Sequence, residues 1–136
     1  MFFLDEAVAL AAGHRPCGQC RHADYGAFKA AWTDAFGAWP GPSDADHELH
    51  SARACPGARY LRHHQDDASN LPPGAMCRTD QLTLLITRSG ARVYQPEGYG
   101  PLRPRPTGRV TVLTNPVTLN VLRAGYAPML HASART

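Results

Sequence analysis

Residues 5–20 read DEAVALAAGHRPCGQC, and this stretch decides how the rest of the 136-residue chain is interpreted. Residues 5–12 are rich in alanine and are followed by Gly13, a pattern that predicts a short helix ending at a glycine C-cap. The turn that follows leads into Cys17 and Cys20, a C-x2-C step. Two thiolates at this spacing reach one Zn²⁺ at about 2.3 Å when the backbone turns tightly between them.

Residues 4–20 also resemble the metal-binding domain of the Ada family of DNA-repair proteins. In that family an Ala-rich helix ends in an Ala-Gly-aromatic-Arg-Pro-Cys-x-x-Cys segment. Three positions before the cysteines match the family segment, namely Gly13, Arg15 and Pro16. His14 stands where the family has an aromatic residue. The resemblance implies that Cys17 and Cys20 are zinc ligands and that the protein belongs with DNA-binding or repair-associated modules.

The chain departs from the Ada pattern in one respect. The family places its first two ligands upstream of this segment, whereas no cysteine precedes Cys17 here. Either the start is truncated or the remaining ligands lie downstream. The methyl-acceptor role is not carried over, because the cysteine that performs it lies in the upstream part. For a site complete in this chain, His50 and Cys55 are the leading further ligands, followed by His47, His22, Cys77 and His131.

Composition places further bounds on the function. The net charge is +3, and of the 14 basic residues only Lys29 is a lysine. Arginine suits phosphate partners, although a GC-rich genome also enriches it together with Gly and Pro.

No apolar run is long enough for a membrane span, and no secretion signal is visible, which predicts a cytoplasmic protein. In that compartment a close cysteine pair favours metal binding over a disulfide.

A nucleic-acid partner is the expectation that follows from the basic stretches. Arg59-Tyr60-Leu61-Arg62 combines two cations with an aromatic ring that can stack on a base. Arg15 and Arg21 flank the cysteine pair and extend the basic character there. The candidate nucleic-acid residues are therefore Arg15, Arg21, Arg59, Tyr60 and Arg62.

Two alternative functions remain open from the residues. Residues 44–50 concentrate acids and histidines, and on a helix His47 and His50 share a face. With Glu48 as general base they predict a metal-dependent hydrolase or nuclease. The other alternative is a metal-free domain in which the cysteine pair consists of reduced thiols or a redox couple.

The rest of the first half predicts helices and a long loop. Residues 24–36 place apolar side chains at helical spacing, with Phe28, Ala31 and Trp32 on one face. Ser43 followed by Asp46 resembles a capping box that starts a second, polar helix. Residues 55–80 are rich in Pro, Gly, Asp and Arg and predict a long loop with one helical turn at most.

The second half predicts a small sheet. Residues 82–86 and 91–95 form a hairpin about Ser89-Gly90, and residues 110–113 form a third strand. Asn115-Pro116 starts a helix that runs to residue 124. Two Gly-Tyr turns, at Tyr99 and Tyr126, are expected to anchor the core.

These elements predict an α+β fold in which helices surround a Cys-x2-Cys zinc knuckle and are followed by a small antiparallel sheet and a C-terminal helix. A single domain, 1–136, is expected. The alternative division is a helical zinc-binding part, 1–75, and a sheet with one helix, 76–136. The function expected is that of a small protein with a structural Zn²⁺ that binds nucleic acid, and its oligomeric state is left open.

Overall fold

The computed structural model describes residues 3–16, 22–53 and 63–134. In these ranges the protein is α+β, with four α-helices and one six-stranded antiparallel sheet. The helices are α1 (Glu6–Ala11), α2 (His22–Phe36), α3 (Pro42–Arg53) and α4 (Pro116–Arg123). The strands are β1 (His64–Asp67), β2 (Met76–Thr79), β3 (Leu82–Ile86), β4 (Ala91–Gln95), β5 (Gly98–Tyr99) and β6 (Arg109–Val112), in the spatial order β1-β6-β2-β3-β4-β5.

The predicted helix ends and the central hairpin are confirmed. Asp5 caps α1 by accepting a hydrogen bond from the backbone N–H of Val8. Gly13, just past the end of that helix, has a φ of 92°, a conformation that favours glycine. Asn115 caps α4 through the backbone N–H of Thr118, with Pro116 as the first helical residue. Strands β3 and β4 pair as expected, with Leu84 opposite Val93.

The prediction of a long loop with one helical turn across residues 55–80 is partly wrong over its described part, where a single 3-10 turn at Ala68–Asn70 lies between two strands. Residues 64–67 form β1 and residues 76–79 form β2. The polar sequence of β1 belongs to an edge strand, which does not need the alternating apolar pattern of a half-buried strand. The turn between β2 and β3 is Asp80-Gln81, with φ of 51° and 65°. Such turns usually carry glycine or asparagine, so the sequence offers no hairpin signal there.

The predicted capping box at Ser43 is also wrong. Helix α3 begins one residue earlier, at Pro42, so that Ser43 lies inside the helix. The carboxylate of Asp46 accepts hydrogen bonds from the side chain of Arg15 instead. Proline at the first helical position explains the earlier start, because its fixed φ is compatible with the helix and its missing N–H is not needed there.

The larger core lies between one face of the sheet and helices α2, α3 and α4. Cys77, Leu84 and Val112 occupy neighbouring positions on that face, as the strand registers show. Phe28 and Trp32 of α2 belong to the same buried cluster, and each is at most 1% exposed. Burying an aromatic side chain of this size contributes roughly 2–3 kcal/mol, which makes these residues the main anchors of α2 on the sheet.

Helix α1 and the C-terminal segment cover part of the opposite face. Ala7 packs there with Met76, Leu85 and Tyr99. Asp5 reinforces the contact, since its carboxylate accepts hydrogen bonds from the Tyr99 hydroxyl at 3.0 Å and from the His131 backbone N–H at 2.9 Å. The two helical layers therefore lie on opposite sides of the sheet. Both tyrosines that follow a glycine are buried, Tyr99 in this layer and Tyr126 in the larger core, as predicted.

Gly90, in the turn between β3 and β4, generates a stability prediction. Its φ is +158°, and an added Cβ would overlap the backbone carbonyl oxygen of Arg103, which accepts a hydrogen bond from Ala91. We expect Gly90→Ala to lower the free energy of unfolding by roughly 2–4 kcal/mol, because the clash is with backbone. Gly100→Ala is the matched control, since the nearest atom to its Cβ is 3.9 Å away. Urea unfolding of both variants checks this, and equal losses would contradict it.

Candidate functional site

The predicted metal ligands fall largely outside the described ranges. Cys17, Cys20 and Cys55 lie in the sequence segments 17–21 and 54–62, for which no structure is described, whereas His50 lies on α3. The geometry that bears on the site is therefore that of the described residues flanking these segments. They are Arg15 and Pro16 before the cysteine pair, the start of α2 after it, and helix α3 before Cys55.

Arg15 joins three segments around the position of the cysteine pair. Its Nε donates to Oδ1 of Asp46 at 2.6 Å, and its Nη2 donates to Oδ2 of the same carboxylate at 3.1 Å. Nη1 donates to the carbonyl of Pro16, and the guanidinium lies 5.6 Å from the ring centroid of Tyr25 in α2. The two parallel hydrogen bonds to one carboxylate fix the orientation of the Arg15 side chain. A lysine would supply the charge but not this planar pair of donors. The residue two positions before Cys17 is thus fixed against both α2 and α3.

His50 lies on α3 four residues after Asp46, which places the two on the same face of the helix. Its side chain is exposed, as are those of His47 and Glu48. Residues 3–16, 22–53 and 63–134 contain no group of three or more His, Cys, Asp or Glu side chains that could hold a metal ion. His47, Glu48 and His50 themselves therefore do not form such a group.

The remaining candidate ligands in the described ranges have other environments. His22 is exposed at the start of α2. The ring Nδ1 of His131 lies 2.8 Å from the Ser133 hydroxyl and accepts a hydrogen bond from the Ser133 N–H, so this histidine caps a turn. Cys77 is fully buried in the core, and burial raises the pKa of its thiol to about 11. Such a thiol stays protonated at neutral pH and is a poor metal ligand or nucleophile.

Of the predicted nucleic-acid residues, only Arg15 lies in the described ranges. Arg21, Arg59, Tyr60 and Arg62 fall in segments 17–21 and 54–62. Because the three nitrogens of the Arg15 guanidinium already donate hydrogen bonds within the protein, this residue positions α3 rather than offering a free phosphate contact.

Sequence reasoning missed Arg78, whereas His63 follows the basic stretch of residues 59–62 that it did single out. Arg78 is exposed on β2, on the sheet face opposite Cys77, and it has no hydrogen bond or ion pair within the described ranges. The nearby His63 has its pKa lowered by partial burial, by the Arg78 charge and by His64. The sequence offered no alternating signal for this position, because β2 begins with two consecutive buried residues, Met76 and Cys77.

The edge strand β1 carries a second polar group, on the face towards α4. Oδ1 of Asp66 accepts hydrogen bonds from Asn70 and from the Asp67 backbone N–H, and these bonds lower the pKa of the Asp66 carboxyl. His64 lies near Asp66 and Arg123, and its pKa is lowered chiefly by burial. The bonds are local to one turn, so the arrangement stabilises the β1 end and does not form a pocket.

None of the helices described for this chain combines the length and the apolar character needed to span a bilayer. Comparison of the chain with models of known protein families, with curated proteins and with solved structures gave no match. The chemistry of the chain's own residues is therefore the basis for the function proposed below.

Proposed function

We propose that the protein is a small zinc-binding module whose metal is structural and whose partner is nucleic acid. The observation that carries the metal part is the Arg15 contact with Asp46 and Tyr25, which fixes the chain beside α2 and α3 two residues before Cys17. The proposed ligands are Cys17, Cys20, His50 and Cys55. Three thiolates and one imidazole are a common structural zinc set.

The lengths of the connecting chain suit this ligand set. Cys17 follows Arg15 by two residues, which span at most about 7 Å. His50 lies one helical turn beyond Asp46, roughly 6 Å along the axis of α3. Cys55 follows the last residue of α3 by two positions in the sequence. The exposed His50 ring is also free to turn towards a ligand, having no hydrogen bond in the described ranges.

The metal would stabilise the place where the chain crosses between the two helical layers. Helix α1 lies on one side of the sheet and α2 on the other, so that residues 12–22 connect the layers. When bound, zinc would link this connection to the end of α3 and contribute to the folding free energy. The Arg15–Asp46 pair would hold the chain beside the metal, with the charge of the guanidinium already balanced by the carboxylate.

The nucleic-acid part of the proposal is supported by charge and sequence. The chain carries a net charge of +3 with 14 basic residues, nearly all arginine. The basic, aromatic stretch of residues 59–62 immediately precedes His63, which lies beside the exposed Arg78. The resemblance of residues 4–20 to a DNA-repair metal domain points to the same class of partner.

The metal proposal predicts the zinc content and the stability of the purified protein. We expect one equivalent of zinc, nearly complete loss of it in Cys17→Ser, and a melting temperature lower by at least about 10 °C after chelation. Cys77→Ala is the control, because it also removes a thiol but lies in the core and should keep the metal. A Cys17→Ser protein with full zinc, or an unchanged melting temperature after chelation, would contradict the metal role.

The nucleic-acid proposal predicts a steep salt dependence. For three to four phosphate contacts, the affinity for a 20-nucleotide single strand should fall about 30-fold between 50 and 200 mM salt. The double variant Arg59→Ala, Arg62→Ala should reduce the slope of log affinity against log salt concentration by the equivalent of about one to two phosphate contacts. The control double variant Arg88→Ala, Arg103→Ala removes the same charge from two exposed sites and should change this slope less. Absence of binding at 50 mM salt would exclude a nucleic-acid partner.

A further inference from the structure

A groove of about 290 Å³ lies between α1 and the sheet face opposite α2, and it is distinct from the proposed metal ligands. We call it the α1–sheet groove. Its apolar floor includes Val8 of α1, Met76 of β2 and Leu113 just after β6. Its polar rim is formed by His63, Arg78, Thr83 and Tyr94. The volume is near the lower limit for ligand sites, about 300 Å³, and an apolar floor with a few polar groups is the composition such sites have.

The rim residues of the sheet form a row across three strands. Arg78 of β2 is directly opposite Thr83 of β3. Leu84 pairs with Val93, so continuing that register by one residue brings Tyr94 of β4 beside Thr83. At about 4.8 Å between strands, the backbone positions of Arg78 and Tyr94 are roughly 10 Å apart. The cation and the aromatic ring therefore lie at the two sides of one groove.

Arg78 carries the positive charge of the rim, and the described residues that line the groove include no carboxylate to neutralise it. Arg78 forms no ion pair in the described ranges, and its charge disfavours protonation of His63. Because its pKa is lowered, His63 is uncharged at neutral pH, so Arg78 supplies the positive charge at the mouth of the groove and the imidazole can donate a hydrogen bond to the same anion.

The aromatic side of the groove offers a stacking surface. Tyr94 is half-buried, and its ring lies 6.1 Å from that of Tyr99 at a tilt of 59°. Tyr99 is itself held by Asp5. This contact restrains the Tyr94 ring, so that less rotational freedom is lost when a flat apolar ligand packs against it.

We propose that the α1–sheet groove binds one nucleotide of a single-stranded nucleic acid, with a phosphate at Arg78 and His63 and the base between Tyr94 and the apolar floor. The inference rests on the proposed nucleic-acid function and names the place where the strand is held. A single strand is required because a base paired in a duplex cannot enter a groove of this kind. A polymer is favoured over a free nucleotide because the basic residues 59–62 continue the chain directly from His63.

The test is fluorescence anisotropy of the full-length protein, as purified, with fluorescein-labelled (dT)12 at 50 mM salt. Arg78→Ala should weaken binding roughly fivefold and reduce the salt slope by about one contact. Tyr94→Leu should weaken it roughly tenfold, as expected for loss of one stacked base, while Tyr94→Phe keeps the ring and should bind like the native protein. Arg88→Ala, an exposed arginine in the β3–β4 turn, controls for net charge. Thermal melts confirm that each variant is folded.

The outcomes separate this inference from the function on which it rests. If the native protein binds (dT)12 but Tyr94→Leu binds equally well, or Arg78→Ala and Arg88→Ala weaken binding equally, the groove is not the site although nucleic-acid binding stands. If the native protein does not bind (dT)12 or its RNA counterpart, the groove proposal fails, and if it does not bind duplex DNA or RNA either, the proposed function fails with it. If thymidine monophosphate displaces (dT)12 at the concentration at which the oligonucleotide itself competes, the groove is a mononucleotide site and the strand proposal is overturned.

Discussion

The bidentate contact between Arg15 and Asp46 ties the chain that leaves α1 to helix α3 on the other side of the sheet. Helix α1 packs on one face of the sheet and α2 and α3 pack on the other, so the chain between them has to pass from layer to layer. Arg15 stands at this passage, bonded to α3 and stacked near Tyr25 of α2. The pair is partly exposed, with side-chain exposures of 21% and 54%, and alone contributes about 1 kcal/mol at most. A structural metal bound near Arg15 would further stabilise the segment that connects α1 to α2.

The two faces of the sheet have different roles because their side chains differ. The face towards α2 is apolar throughout its centre, where Cys77, Leu84 and Val112 pack beneath the aromatic residues of α2. The opposite face is covered by α1 only in part, and beside that helix it carries Arg78 and Thr83. A strand residue that points away from the core is free to be polar, so the uncovered region accommodates Arg78 and Thr83 without loss of stability.

Local sequence signals predicted the helices and the central hairpin well. Gly13 after α1, Asn115 before α4 and Ser89-Gly90 between two apolar runs each act through backbone conformation or capping, which neighbours in sequence determine. Strand β1 was missed because its residues are polar, and it pairs with β6, some 45 residues later. The groove was missed for the same reason, since the proximity of Val8, Arg78 and Tyr94 arises from strand order and not from spacing. The α+β class was predicted correctly, and the zinc knuckle stays a prediction.

The ligation of zinc by the cysteine pair is tested most directly by X-ray absorption at the zinc edge on the purified full-length protein. We expect about one zinc per chain, bound by three sulfur atoms at about 2.3 Å and by one nitrogen from His50. His50→Ala should remove the nitrogen contribution and leave the sulfur shell in place. A folded protein that contains no zinc, or zinc surrounded by oxygen and nitrogen alone, would contradict the central claim.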